Sequence, residues 1–263
     1  MKGYVNNFKK YKNLLWELVK KGIKLKYRRS YLGIIWTLLE PVLTTVVLTT
    51  VFTYLMRKDS EVFRVAFPVY ILTGRLLYTF FAGATKTALS SIRKNSGMIK
   101  KVYVPKYLYP LSGVLYNFVI FLISLVVLFG AGIVFKVKPS LYMIEGIIPL
   151  FLLLLLSFGV GMILSTVAVF FRDMFYVYGI IITIWTYLTP IMYDISNISN
   201  TVLQSIMKLN PMYQIINFAR TIILYNTLPT LTQFIGCFLS GALALLIGIF
   251  LFKKNQDKFI YYV

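Results

Sequence analysis

The sequence predicts an all-α polytopic membrane protein, and three observations carry that reading. Of 263 residues, 59% are hydrophobic and only 14% are charged, whereas a soluble domain carries about a quarter charged residues. Apolar runs recur that are long enough to cross roughly 30 Å of hydrocarbon. The Lys and Arg residues fall in blocks between those runs. The formal net charge of +20 would also suit a phosphate backbone. Its blockwise placement is instead that of an oriented membrane protein, so nucleic acid is not an expected partner.

Six transmembrane helices are predicted, over residues 33–56, 65–85, 107–135, 141–171, 174–193 and 230–252. The third and fourth exceed the bilayer thickness and must tilt or project from it. Pro41, Pro68 and Gly159 fall inside these runs, which is tolerated where neighbouring helices satisfy the freed backbone groups. No internal repeat is visible. Residues 31–263 read as one membrane domain.

Orientation follows from the loops. Residues 1–30 carry ten Lys and Arg against Glu17 alone. The segment 93–106 carries Arg93, Lys94, Lys100, Lys101 and Lys106 without an acid, and the tail carries Lys253, Lys254 and Lys258 against Asp257. The alternate loops are nearly balanced: Arg57, Lys58 and Arg64 against Asp59 and Glu61, then Lys136 and Lys138 against Glu145. Six crossings put every basic segment on one side, which the positive-inside rule makes cytoplasmic. Both termini are therefore expected in the cytoplasm, with the chain in the plasma (inner) membrane.

Residues 1–30 form a feature of their own. Phe8, Tyr11, Leu15, Leu18, Gly22 and Leu25 recur at helical spacing, with Lys9, Lys10, Lys12, Lys20, Lys21 and Lys24 off that stripe. The pattern predicts an amphipathic helix lying in the cytoplasmic interface, lysines toward lipid phosphates; a solvated helix that only enforces orientation is the plainer alternative. The first apolar run begins near Leu32, after this basic head, and shows no small-residue cleavage site, so the first span is expected to be retained. Between the fifth and sixth spans, residues 197–209 and 212–225 are moderately apolar, each too short to cross, and broken at Asn210-Pro211. Proline cannot continue the preceding helix. The pair reads as a re-entrant hairpin from the outer face, or as a hairpin lying on the surface.

The chain lacks the residues of an enzyme. It has no His, one cysteine (Cys237, in an apolar run) and eight scattered acids, which leaves no expected metal site and no paired carboxylates. Gly83-Ala84-Thr85-Lys86-Thr87 has Thr85 where a phosphate-wrapping loop needs Gly before Lys, so nucleotide hydrolysis must come from another chain. Glu40 is the one carboxylate well inside a span, and Arg75 and Lys86 in the next span bracket its depth; an ion pair with either is expected, for transport or merely for helix register. Trp36, Tyr78, Phe80, Phe81, Trp185, Tyr187 and Tyr193 concentrate in the first, second and fifth spans. Such rings can stack on sugar C–H faces, or simply pack and anchor at the interface.

The sequence resembles the permease subunits of ATP-binding-cassette exporters for lipid-linked polysaccharides, of the O-antigen and teichoic-acid type. The resemblance rests on five pieces in order: 27–43 (YRRSYLGIIWTLLEPVL), with Leu32-Gly33, Trp36 and Pro41; 73–115, with Phe80-Phe81 and MIKKVYVPKYLYPLSGVL; Phe171-Arg172-Asp173; Pro190-Ile191-Met192-Tyr193; and Asn210-Pro211-Met212. Arg75 departs from the pattern, where an apolar residue is usual. The resemblance implies a homodimer of this chain with two copies of a separate ATPase that binds the ATP and Mg, this chain binding no cofactor. It implies that residues 93–104 are a coupling helix docking into the ATPase through Arg93, Lys94, Met98, Ile99, Lys100, Lys101 and Tyr103. It further implies outer gate helices at Asn210, Pro211 and Met212, a pore lined by the first and fifth spans, and a polyprenyl-diphosphate-linked substrate. Lys26, Arg28 and Arg29, beside Leu32 and Gly33, suit that diphosphate by charge. A permease of the same class moving a drug or lipid is the second reading. A secondary carrier or membrane enzyme is the third, weakened by the missing His, carboxylate pairs and inverted repeats.

Overall fold

Apolar sequence in hydrocarbon folds as helix because each backbone N–H and C=O must find its partner within the segment. The computed structural model describes residues 2–28, 30–55, 67–137 and 141–262, and among these no strand occurs. Helix α1 covers Lys2–Tyr27, and a 3-10 turn over Gly33–Ile35 leads into α2, Trp36–Leu55. Then follow α3 (Phe67–Lys94), α4 (Ser96–Ile99) and α5 (Leu108–Val134). A 3-10 turn at Leu141–Gly146 precedes α6 (Ile147–Phe170) and α7 (Met174–Leu188). The predicted hairpin segment holds two shorter helices that meet at Asn210, α8 (Thr201–Leu209) and α9 (Pro211–Ile223). Helix α10 covers Leu231–Asn255, and a short α11, Phe259–Tyr262, follows.

Among the described residues, four stretches are long and apolar enough to cross a membrane: Gly33–Tyr54, Leu108–Val134, Ile147–Phe170 and Leu231–Tyr262. The two other predicted spans differ from expectation for separate reasons. Helix α3 has 28 residues and does not stop at Thr85. Nothing breaks it there, and Thr85, Thr87, Ser90 and Ser91 donate back to carbonyls of the preceding turn, so polar sequence continues as helix to Lys94. Helix α7 has only 15 residues, not the length predicted to Tyr193. Pro190 biases the residue before it to extended backbone, and Thr189 is extended at φ −100 and ψ 120. The predicted fourth span begins in the 3-10 turn rather than in α6. Met56, Val65 and the loop 57–64 lie outside the described residues.

Small residues set the closest packing. A Cβ at Gly159 would meet the backbone of Leu245 and Ala244, and one at Gly248 would meet the Gly159 carbonyl oxygen at 2.5 Å. Backbones of α6 and α10 touch here, as membrane helices do through small residues. The main core gathers around α3, with Phe81, Val114, Leu153, Ile216 and Phe218 fully or nearly fully buried. A second cluster joins Leu15 and Leu18 of α1 to Ile99, Val104, Phe252 and Phe259. Lys106 Nζ donates to the Gln256 carbonyl at 2.6 Å. The two termini and the 95–106 segment thus share one end of the bundle. The apolar stripe of α1 is turned inward: Leu15, Leu18 and Val19 are buried, and Gly22 lies against the Tyr116 ring, which a Cβ would meet at 2.8 Å. Leu25 is exposed, with Trp16.

At the other end, α5 stops in a Schellman motif. Val137 N–H donates to the Gly132 carbonyl at 2.9 Å and Lys136 N–H to that of Ile133 at 3.2 Å. Lys136 has φ 54, a left-handed conformation that costs a non-glycine residue roughly 1–2 kcal/mol.

Candidate functional site

Gly33 starts the site. Its φ of +51 is left-handed and a Cβ would meet nothing within 4 Å, so glycine is required here by backbone conformation rather than by space. Gly33 N–H donates to Ser30 Oγ at 3.1 Å, and the turn aims α2 so that Trp36, Thr37 and Glu40 face α3 and α5. Between them lies a cavity of about 340 Å³, whose wall includes Lys26, Trp36, Glu40, Arg75, Phe80 and Asn117. Residues far apart in sequence converge because Ser124 Oγ of α5 donates to the Thr37 carbonyl at 3.2 Å.

The cavity holds mixed charge. The Glu40 carboxylate acts electrostatically on both Lys26 and Arg75, yet neither contact closes to an ion pair; among the described residues the one ion pair is Lys20–Glu17 at 2.9 Å. The expected Glu40 ion pair with Arg75 or Lys86 is thus not formed: Arg75 shares the cavity wall with Glu40, while Lys86 is exposed and outside this cavity. Desolvation lowers the Lys26 ammonium pKa from its ordinary value, and Glu40 works in the opposite direction. An incoming anion would compensate both cations. Arg28 sits on a neighbouring groove with Lys20, Lys21 and Lys24. Leu32 is exposed. Arg29 lies outside the described residues.

The aromatic candidates separate. Tyr78 and Phe81 are buried in this chain's own core, and the Tyr78 hydroxyl donates to the Ile182 carbonyl at 2.6 Å. Phe80 is buried too, stacked 5.1 Å from Phe121, though it lines the cavity. Trp185 packs edge-on against Phe81, with ring centroids 5.8 Å apart. Tyr187 is 73% exposed, and its carbonyl accepts from the Tyr193 hydroxyl at 2.6 Å. Only Trp36 and Tyr187, among the candidates, present largely open rings.

Asn210 joins the hairpin to α7. Its Oδ1 accepts from Met212 N–H and from Trp185 Nε1, both at 2.9 Å, and its Nδ2 donates to Thr189 Oγ1 at 2.9 Å. One side chain thus caps α9 and fixes α7 against it, with Pro211 at the first helical position where its missing N–H costs nothing. Met212 is fully buried.

The family model described as "ABC-2 type transporter" matches residues 13–224. This chain belongs to the ABC-2 type transporter family. It is 27% identical over 97% of both chains to the O-antigen export system permease protein RfbA of Myxococcus xanthus. It is 29% identical to a protein of the same name from Klebsiella pneumoniae, over 94% of this chain and 93% of that one. The polysialic acid transport protein KpsM of Escherichia coli is 23% identical, over 90% and 92%.

In this ABC-2 chain the 93–104 segment is not one helix. Helix α3 ends at Lys94, α4 is a single turn, and residues 103–105 are irregular. Ile99 is buried against Leu15, Leu18 and Val104, with Met98 packed beside it. Those two residues hold the segment to its own bundle, contrary to the expectation that both are outward anchors. Tyr103 at 92% and Val102 at 56% exposure are the apolar groups facing out. Lys94, Lys100 and Lys101 are exposed, and Arg93 stacks over the Phe175 ring at 5.6 Å.

Arg220 was missed by sequence reasoning that looked for carboxylates. It is 1% exposed, donates to the Pro190, Ile191 and Tyr70 carbonyls at 2.9, 2.7 and 3.2 Å, and lies 3.4 Å over the Tyr70 ring. Its signal was available: a lone cation in an apolar stretch is by default significant.

Proposed function

We propose that this chain is the membrane subunit of an exporter that moves a polyprenyl-diphosphate-linked polysaccharide outward, in a complex of two such chains and two copies of a separate ATPase. The observation that carries the reading is the cavity that joins Lys26, Trp36, Glu40 and Arg75 beside the Gly33 turn; the near-full-length similarity to proteins named for O-antigen export supports it. A cavity of about 340 Å³ suits the diphosphate and first sugar, not the polymer. Lys26 and Arg75 meet the diphosphate, and Trp36 offers its face to the sugar ring.

The polymer then passes between two copies. The outward faces of α2 (Val42, Val46, Val47) and α7 (Ile180, Ile184, Tyr187) are exposed and apolar, which a second copy would cover and convert into a lined path. In this reading α3 and α7 also cross, giving six spans with both termini cytoplasmic, α1 borders the inner interface, and the hairpin re-enters from outside as a gate. The ATPase docks on Tyr103 and Val102, flanked by Lys100 and Lys101.

Export is tested in cells lacking the native copy. Removing the chain should trap lipid-linked glycan inside, and Lys26→Gln with Arg75→Gln should cut surface polymer about tenfold or more at unchanged folded complex, the scale of lost charge-assisted hydrogen bonds. Normal surface polymer in the double variant would reject the cavity as the diphosphate site. Glycan export unaffected by loss of the whole chain would reject the function.

A further inference from the structure

A second cavity, of about 700 Å³, opens between α3, α5, α6 and the α9 arm of the hairpin, sharing only Leu76 with the first. Its volume is within the range of about 300–1,000 Å³ of small-molecule sites. Leu77, Leu128, Phe129, Leu150 and Ile223 form its walls. Among the described residues, Thr73 and Lys136 are the only lining residues whose side chains carry nitrogen or oxygen. The Thr73 hydroxyl already donates to the Val69 carbonyl at 2.7 Å. A buried water needs two to four polar partners, and the side chains of these walls are almost wholly apolar. The fitting occupant is hydrocarbon.

Lys136 tells what that hydrocarbon is attached to. It occupies the left-handed position of the α5 cap, where glycine is the residue without penalty. The side chain makes no hydrogen bond or ion pair among the described residues; nearby Glu145 neither lines the cavity nor pairs with it. A left-handed, non-glycine residue in a cavity lining points to a task for its side chain. A lysine ammonium is a compact point charge suited to phosphate.

We propose that this cavity binds one acyl chain of a membrane phospholipid whose anionic phosphodiester group meets the Lys136 ammonium. The compact Lys136 ammonium matches one phosphodiester group. The chain so bound would lie against Ala219 and Ile223 of the hairpin and Thr73 and Leu77 of α3, filling the space beside the Arg220 anchor.

The test is native mass spectrometry of the full-length chain, titrated with phosphatidylglycerol or phosphatidylcholine, alongside melting temperature. Wild type should retain phosphatidylglycerol about fivefold over phosphatidylcholine, the factor one lysine contributes at an anionic lipid surface. Lys136→Gly should melt higher, because glycine relaxes the cap, yet show no preference between the lipids. Lys136→Asn, which tolerates the same backbone, should also lose the preference. Gly132→Leu should reduce retention of both lipids, since a Cβ there meets nothing within 4 Å and the longer side chain fills the cavity. Preference preserved in both Lys136 variants, or full retention in Gly132→Leu, would overturn the proposal. So would displacement of phosphatidylglycerol from wild type by polyprenyl phosphate.

Discussion

A guanidinium buried with three carbonyls and a phenol ring, with no carboxylate bound to it among the described residues, is the most consequential single residue here. Arg220 ties α9 to the Pro190–Ile191 turn and to Tyr70 of α3, and a Cβ on Gly74 would meet its Nη2 at 2.6 Å. Arg220→Met would take the donor from the Pro190 and Ile191 carbonyls, which lie outside any helix, at about 1–3 kcal/mol for each group left unsatisfied. Arg220→Lys keeps the charge but loses the planar fork that reaches three acceptors. Both variants should melt well below wild type, and the lysine variant should not rescue. If Arg220→Met melted with wild type, the buried charge would be contributing no net stability.

Among the elements, the pairing of α6 with α10 is the least tolerant of change. Gly159→Leu or Gly248→Leu drives a side chain into facing backbone, where overpacking reaches or exceeds its usual cost of about 1–3 kcal/mol. Both should reduce the folded fraction on size-exclusion chromatography. Gly130→Ala, where a Cβ would meet nothing within 4 Å, should leave it unchanged or raise it through better helix propensity. A Gly159→Leu protein as well folded as wild type would disprove the close crossing. Much of this architecture could be read from composition and punctuation. The long apolar runs became α2, α5, α6 and α10, and Asn210-Pro211 marked the break between α8 and α9 within a residue. What could not be read was three-dimensional. Nothing in the sequence says that Ser90 and Ser91 will bond their own helix and prolong α3. Nor does helical spacing tell whether the stripe of α1 faces lipid or protein, because both are apolar solvents for Leu15 and Leu18. The site divided likewise: Lys26, Trp36, Glu40 and Phe80 meet in one cavity, whereas Tyr78, Phe81 and Ile99 are buried, since an aromatic or aliphatic residue fits a core and a pore equally well.

For the whole molecule, two ends are distinguished. One gathers α1, the 95–106 segment and α11, with Lys, Arg and the second apolar cluster; the other holds the hairpin and the α5 cap. With Cys237 replaced, Ser196→Cys should react with an impermeant maleimide in intact cells, and Gly97→Cys only after permeabilisation. Both positions are exposed, so access and not burial decides the outcome. Labelling of Gly97→Cys in intact cells would invert the molecule.

The uninterrupted course of α3 gives those two ends a mechanical relation. At about 1.5 Å per residue, its 28 residues make a rod about 42 Å long, without proline beyond Pro68. Its interior glycines are braced, Gly74 by Arg220 and Gly83 by Asn117. A strut with no hinge cannot absorb displacement along its length. A displacement imposed along the axis at Lys94 would be carried to Tyr70, where Arg220 of α9 is bonded.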